Sequence, residues 1–186
     1  MASGVRYFAT SLGPDTPAIL VVNQYASLAA MDATASKLAA DKDYNKALDA
    51  FNSKPGLNYQ RIESTLLRTV PMLPGLSAPP NDGKRPGMLF ELRTYESNNS
   101  GTLKRKIGMF EEGGELEIFR KVGMKTIFFG RTIVGPNQPN LTYMLAYDNF
   151  SAREKCWGDF LKHPDWIKLR ETPGLADAEI VSNISA

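Results

Sequence analysis

The chain has 186 residues, 42% apolar and 10% aromatic, enough to bury a sizeable core in one large or two small domains. Its 22 basic and 20 acidic residues leave a formal charge of only +2, so no global field points to nucleic acid or an anionic membrane. One cysteine, Cys156, and one histidine, His163, exclude an intrachain disulfide and a multi-cysteine metal site. No apolar run approaches the roughly 20 residues of a membrane span.

Met1-Ala2-Ser3-Gly4 is not a charged segment followed by an apolar one, so the sequence as written carries no address and assigns no compartment. Residues 6–12 and 18–25 read as strands around Gly13-Pro14-x-x-Pro17, where glycine supplies backbone freedom and proline fixes φ. Leu28, Met31, Ala35 and Leu38 then form a helical stripe. A second short helix, from about 43 to 52, is expected to bury Tyr44, Ala47, Leu48 and Phe51. Residues 60–70 are a closing strand. Pro71 to Gly87, with Pro71, Pro74, Pro79, Pro80 and Pro86, reads as an extended linker.

Residues 88–96 alternate as a strand, and residues 101–122 carry Leu103, Ile107, Phe110, Leu116 and Phe119, a helical stripe broken near Gly113 and Gly114. Lys104 to Lys106, followed by Glu111, Glu112, Glu115 and Glu117, is expected to be a solvated face. Residues 125–134 and 140–148 are strands around Gly135-Pro136-x-x-Pro139. Ser151-x-x-Glu154 has capping-box spacing and opens a helix with Phe150, Trp157, Phe160 and Leu161, ended by Pro164. Residues 176–185 close the chain as a strand candidate.

A shift of 122 residues carries Gly13 onto Gly135, and the match continues without gaps for about forty residues. Thr10 falls on Thr132, Tyr25 on Tyr147, Leu38 on Phe160 and Tyr44 on Trp166. The expected organisation is an incomplete repeat over residues 1–70, a linker over 71–87 and a complete β-α-β-β-α-β unit over 88–186, the ferredoxin-like order in an α+β fold. The first repeat lacks its opening β-α. Since that strand lies between the third and fourth, its absence leaves a central gap with unpaired backbone groups. Either the gap is filled from elsewhere or the chain is an N-terminally shortened piece of a longer protein, and we prefer the second, with Met1-Ala2-Ser3-Gly4 as an artificial or misassigned start.

Phe90-Glu91-Leu92-Arg93-Thr94-Tyr95-Glu96 resembles the opening strand of the NIPSNAP family. The likeness continues through Ile118, Phe119, Gly123, Gly135-Pro136, Tyr147-Asp148, Trp157, Pro164, Trp166 and Ile180 to Ile184. It implies a dimeric α/β barrel, two ferredoxin-like units facing each other through their sheets within or between chains. It also implies a bacterial two-copy type, whose parent protein is in some members exported. No part of the resemblance is a catalytic signature.

Alternation on the strand 88–96 sends Phe90, Leu92 and Thr94 to one face and Glu91, Arg93 and Tyr95 to the other. With the apolar set on the helices, the polar set would point into the barrel. There it would be a ligand-binding candidate or a structural Glu-Arg pair, and Tyr143 and Tyr147, on one face of their own strand, would either line the same space or be ordinary sheet packing. His163, in His-Pro-Asp-Trp at a helix end, is favoured there as a cation by the macrodipole. Some barrels of this shape bind haem through a histidine on the corresponding helix, which makes His163 a haem-ligand candidate. Cys156 beside Trp157 reads as a packed helix residue.

The strand from Asn140 to Asp148 lacks the aromatic RNA-recognition pattern, and no phosphate loop, dinucleotide fingerprint or metal cluster is present. The first expectation is a NIPSNAP-type assembly or small-ligand-binding module that self-associates through sheet faces, without a cofactor, nucleic acid or membrane span. The second is a barrel enzyme, a cofactor-independent oxygenase or isomerase or a haem-dependent one, using Glu91, Arg93 and Tyr95.

Overall fold

The computed structural model describes residues 4–13, 16–73, 75–77 and 88–186. Pro14, Met1 to Ser3 and most of the expected linker, Pro74, Pro79, Pro80 and Pro86 included, lie outside them. The chain divides into two compact units, the first ending at Ser64 and the second spanning Thr65 to Ala186.

In the first unit β1 (Gly4–Ala9) and β2 (Ile19–Gln24) form an antiparallel pair, with Ala9 opposite Ile19 and Tyr7 opposite Val21. Gly13 adopts φ 137°, open to glycine alone without strain, and Thr10 Oγ1 accepts from Ala18 N at 2.8 Å to close the connection. Helix α1 (Leu28–Ala40) starts at Ser27, whose side chain accepts from the Ala30 N–H. Helix α2 (Lys42–Asn52) starts at Asp41, which accepts from the Tyr44 N–H at 2.9 Å. The elements stand where patterning puts them, but the expected burial does not follow. Neither helix has a buried residue, and Tyr44, Leu48 and Phe51 are each about two-fifths exposed. Ala47 is exposed as well. An amphipathic stripe is buried only against a second layer, and two strands with two helices supply too little of one.

The second unit is a five-stranded antiparallel sheet in the order β3-β5-β6-β4-β7. Its strands are β3 (Leu66–Thr69), β4 (Leu89–Glu96), β5 (Lys125–Val134), β6 (Asn140–Tyr147) and β7 (Asn183–Ser185). The central pairing runs from Leu89 opposite Tyr147 to Glu96 opposite Asn140. Helices α3 (Ser100–Phe110) and α4 (Glu115–Lys121) follow β4, and α5 (Phe150–Lys162), α6 (Pro164–Arg170) and the single turn α7 (Asp177–Ile180) follow β6. Leaving β3 aside, this is β-α-β-β-α-β with the first strand between the third and fourth, the ferredoxin-like arrangement.

Several details depart from expectation. The strand expected at 60–70 forms only at β3 and pairs with the edge of β5, so it belongs to the second unit. The strand expected at 176–185 is a helical turn followed by three extended residues. Asn149, not Ser151, caps α5 through the Ala152 N–H at 2.9 Å. Pro164 both ends α5 and opens α6, where its missing N–H is no loss. The break at Gly113 and Gly114 is as expected. Gly114 has φ 80°, and a Cβ on Gly113 would lie 2.6 Å from the Met109 carbonyl.

Gly130 on β5 fixes the β3 contact, because a Cβ there would meet the Arg68 carbonyl at 2.9 Å and Leu67 Cβ at 3.2 Å. Gly130→Val is therefore expected to cost about 1–3 kcal/mol by overpacking. Hydrogen exchange should show protection lost first at Leu66 to Thr69, with the β4-β6 pairing retained.

The core lies between sheet and helices and is largely aromatic. Phe110 of α3 stands 4.7 Å from Phe129 and 5.4 Å from Tyr143, and Phe119 of α4 stands 5.0 Å from Phe160, ring centroid to centroid. Each of these five rings is 2% exposed or less.

Candidate functional site

Strand alternation divides β4 as expected, but the two faces are reversed. Glu91, Arg93 and Tyr95 lie beneath the helices, while Phe90, Leu92 and Thr94 share the opposite face with Ala146, Met144 and Thr142 across β6. Both faces of the sheet are rich in apolar residues, so alternation separates the sets without saying which meets the helices. The deciding groups are on the helices: the Trp157 ring lies 4.5 Å from the Arg93 guanidinium, and its indole N–H donates to Glu91 Oε2 at 3.1 Å.

The five strand candidates meet in one cluster. Arg93 donates to Glu91 Oε1 at 2.7 Å, to the Tyr143 hydroxyl at 3.1 Å and to the Tyr95 hydroxyl at 3.3 Å. The Tyr147 hydroxyl donates to Glu91 Oε2 at 3.3 Å. Arg153, from α5, adds donors to Glu91 at 2.6 and 3.0 Å. Two arginines, an indole and a phenol thus use the acceptor sites of one buried carboxylate.

Burial alone would raise the Glu91 pKa, but hydrogen bonds from Arg153 and Trp157 and the charge of Arg93 bring it below the usual carboxylate range. Burial works against the Arg93 charge too, and Tyr143, Tyr95 and Glu91 overcome it. Burial, with the Glu91 charge beside Tyr147 and the Tyr95 hydroxyl beside Tyr143, pushes both phenols well above their ordinary pKa. The carboxylate stays ionised and saturated, and the phenols stay neutral.

A second polar cluster lies under the same helices. Lys106, expected in a solvated face, is 1% exposed, with its ammonium 2.9 Å from Asp177 Oδ1 and 3.7 Å from Glu115 Oε2. It sits over Tyr95, Phe110 and Trp166 at 5.1–5.6 Å from the ring centroids. Glu115 is as deeply buried, and its Oε2 has no hydrogen-bond partner. The signal for Lys106 was its spacing: it stands three residues after Leu103 and four before Phe110, on the apolar stripe itself. Arg153 likewise stands four residues before Trp157.

His163 does not join either cluster. It caps α6, with Nδ1 accepting from the Asp165 N–H at 3.2 Å. Cys156 is half-buried, and burial raises its thiol pKa, which disfavours the nucleophilic thiolate. Among the described residues no three His, Cys, Asp or Glu side chains gather as a metal site, and no helix is long and apolar enough to cross a membrane.

Sheet order and helix placement make this an α+β protein with a ferredoxin-like antiparallel sheet. The family model that matches it is NIPSNAP, over residues 90–181, so this segment of the chain belongs to the NIPSNAP family. Similar solved structures include an uncharacterised NIPSNAP-like domain protein from Burkholderia xenovorans, 20% identical, covering 53% of this chain and 79% of its own, with a TM-score of 0.46. A NIPSNAP family protein from Agrobacterium tumefaciens is 19% identical, covering 53% and 88%, with a TM-score of 0.45. Another from the same organism, described as of unknown function, is 17% identical, covering 53% and 82%, with a TM-score of 0.45. No curated protein matches significantly.

Proposed function

We propose that the chain is a non-catalytic, NIPSNAP-type assembly or small-ligand-binding module. It is built from two copies of one ferredoxin-like unit, the first without its opening strand and helix. It self-associates through sheet faces as an α/β barrel. The observation that carries this reading is the sorting of the second sheet. Its polar candidates spend their polar atoms on one another beneath the helices, whereas Phe90, Leu92, Phe128, Met144 and Ala146 share the opposite face. A reaction centre needs acid, base or donor groups that a substrate can reach. A barrel interface, within or between chains, needs an apolar sheet face, and on this one Leu92 is 38% exposed while Phe128, Met144 and Ala146 are buried.

The two-copy reading is supported by elements that superpose on a shift of 122 residues. Helix α1 at 28–40 has its counterpart in α5 at 150–162, and Gly13 in Gly135, which also has positive φ. The Tyr7–Val21 pair has its counterpart in Phe129–Tyr143.

Sedimentation of the full chain tests self-association. The wild type is expected to dimerise in the micromolar range, and Leu92→Glu, at a position 38% exposed, to weaken the dimer by roughly tenfold or more while leaving circular dichroism unchanged. A wild-type chain that stays monomeric throughout would overturn the assembly reading.

A further inference from the structure

The first unit exposes the residues whose counterparts form the core of the second. Tyr7 and Ile19 are 73% exposed and Val21 44%, all on one face of the β1-β2 pair, whereas Phe129, Leu141 and Tyr143 are each 0% exposed. Leu38 and Tyr44 are 41% and 43% exposed, and their counterparts Phe160 and Trp166 are 2% and 6%. Side-chain chemistry is kept while burial is lost.

The second unit shows what does the covering. Tyr95 of β4 stacks on Tyr143 at 5.6 Å, Phe110 of α3 packs against Phe129 and Tyr143, and Phe119 of α4 against Phe160. On the backbone, β6 is paired on both sides, with β5 and with β4. Among the described strands β2 is paired with β1 alone.

We propose that the first unit is a docking cleft for a strand–helix polypeptide segment, which adds a strand along the edge of β2 away from β1 and lays an apolar helix over Tyr7, Ile19 and Val21. The proposal rests on the two-copy reading. The segment's chemistry follows from the covering in the second unit. Its strand alternates and turns an aromatic residue to the cleft, as Tyr95 does, and its helix carries large apolar residues seven apart, as Leu103 and Phe110 are. Main-chain pairing supplies affinity and the aromatic contacts supply register, as in other strand-addition complexes.

The probe is a synthetic peptide with the sequence of residues 88–124, added to the isotope-labelled full chain. Expected are saturable binding, new amide protection within Ile19 to Gln24, and binding at least about tenfold weaker in Val21→Asp. Since Val21 is exposed, that change leaves the free chain folded. Absence of binding up to about 100 μM peptide, protection confined to residues 65–186, or binding indifferent to Val21→Asp would each overturn the proposal. If the peptide fails while Tyr7 and Val21 show cross-strand contacts in the free chain, docking falls alone. If that pairing is itself missing, the two-copy reading falls with it.

Discussion

Replacing Glu91 by alanine is expected to destabilise the second unit by about 3–5 kcal/mol, the range for removing one partner of a buried ion pair. The carboxylate is 9% exposed and takes contacts from Arg93, Arg153, Trp157 and Tyr147. Without it Arg93, whose side chain is only 13% exposed, keeps a charge facing Tyr95, Tyr143 and the Trp157 ring. The double variant Glu91→Ala with Arg93→Met removes that stranded charge and is expected to recover more than half of the loss. Urea denaturation of wild type, both single variants and the double variant measures this coupling. The pH dependence has a definite sign. A carboxylate whose folded pKa lies below its unfolded value adds stability that is present above the unfolded value and lost as pH falls through the folded one. Wild type should therefore lose stability below the usual glutamate range, and Glu91→Ala should lack that contribution. An alanine variant as stable as wild type would show the cluster to be energetically idle.

Much of this arrangement was legible in the residues, and what was missed has a common cause. The β5-β6 strands, the helix break at Gly113 and Gly114 and the pairing of Glu91 with Arg93 follow from local pattern, turn chemistry and two-residue alternation. Face assignment did not, because Phe90 and Leu92 on one side and Tyr95 on the other are all large and apolar. Only the helix residues Trp157 and Arg153 break the tie. Nor did the fate of β3, whose partner Gly130 lies some sixty residues away and accepts it because a glycine there gives the backbone room to approach. Lys106 was misread from its neighbours Lys104 and Arg105, when its helical spacing to Leu103 and Phe110 carried the better signal. In the first unit the apolar stripes of α1 and α2 are present as patterns, but the burial expected of Tyr44, Ala47, Leu48 and Phe51 on α2 is not. Amphipathicity states what an element needs to cover, not whether a cover is present.

Glu115→Gln is expected to flatten the dependence of stability on pH between about 4.5 and about 7, the ordinary and the shifted positions of this carboxyl. Lys106 is the nearest cation, yet at 3.7 Å it makes no hydrogen bond to Glu115, since it donates to Asp177 at 2.9 Å. Burial therefore wins over attraction and holds the carboxyl up at about 7, while the charges of Glu115 and Asp177 overcome burial at Lys106 and raise its pKa. Arg93 adds a smaller pull on Glu115 toward the charged form, and Asp177 opposes it. Within that window the folded state binds a proton that the unfolded state has released, so wild type should become less stable as pH rises from 4.5 to 7. At 1.4 kcal/mol per unit the slope amounts to about 3 kcal/mol over the window. Glutamine keeps the shape without the titration, and its stability curve should be nearly level there. Lys106→Met should move the Glu115 midpoint further up, because the Lys106 charge is the largest influence holding it down. Denaturation at a series of pH values reads all three proteins, and a glutamine variant with the same slope as wild type would place the titration on another group.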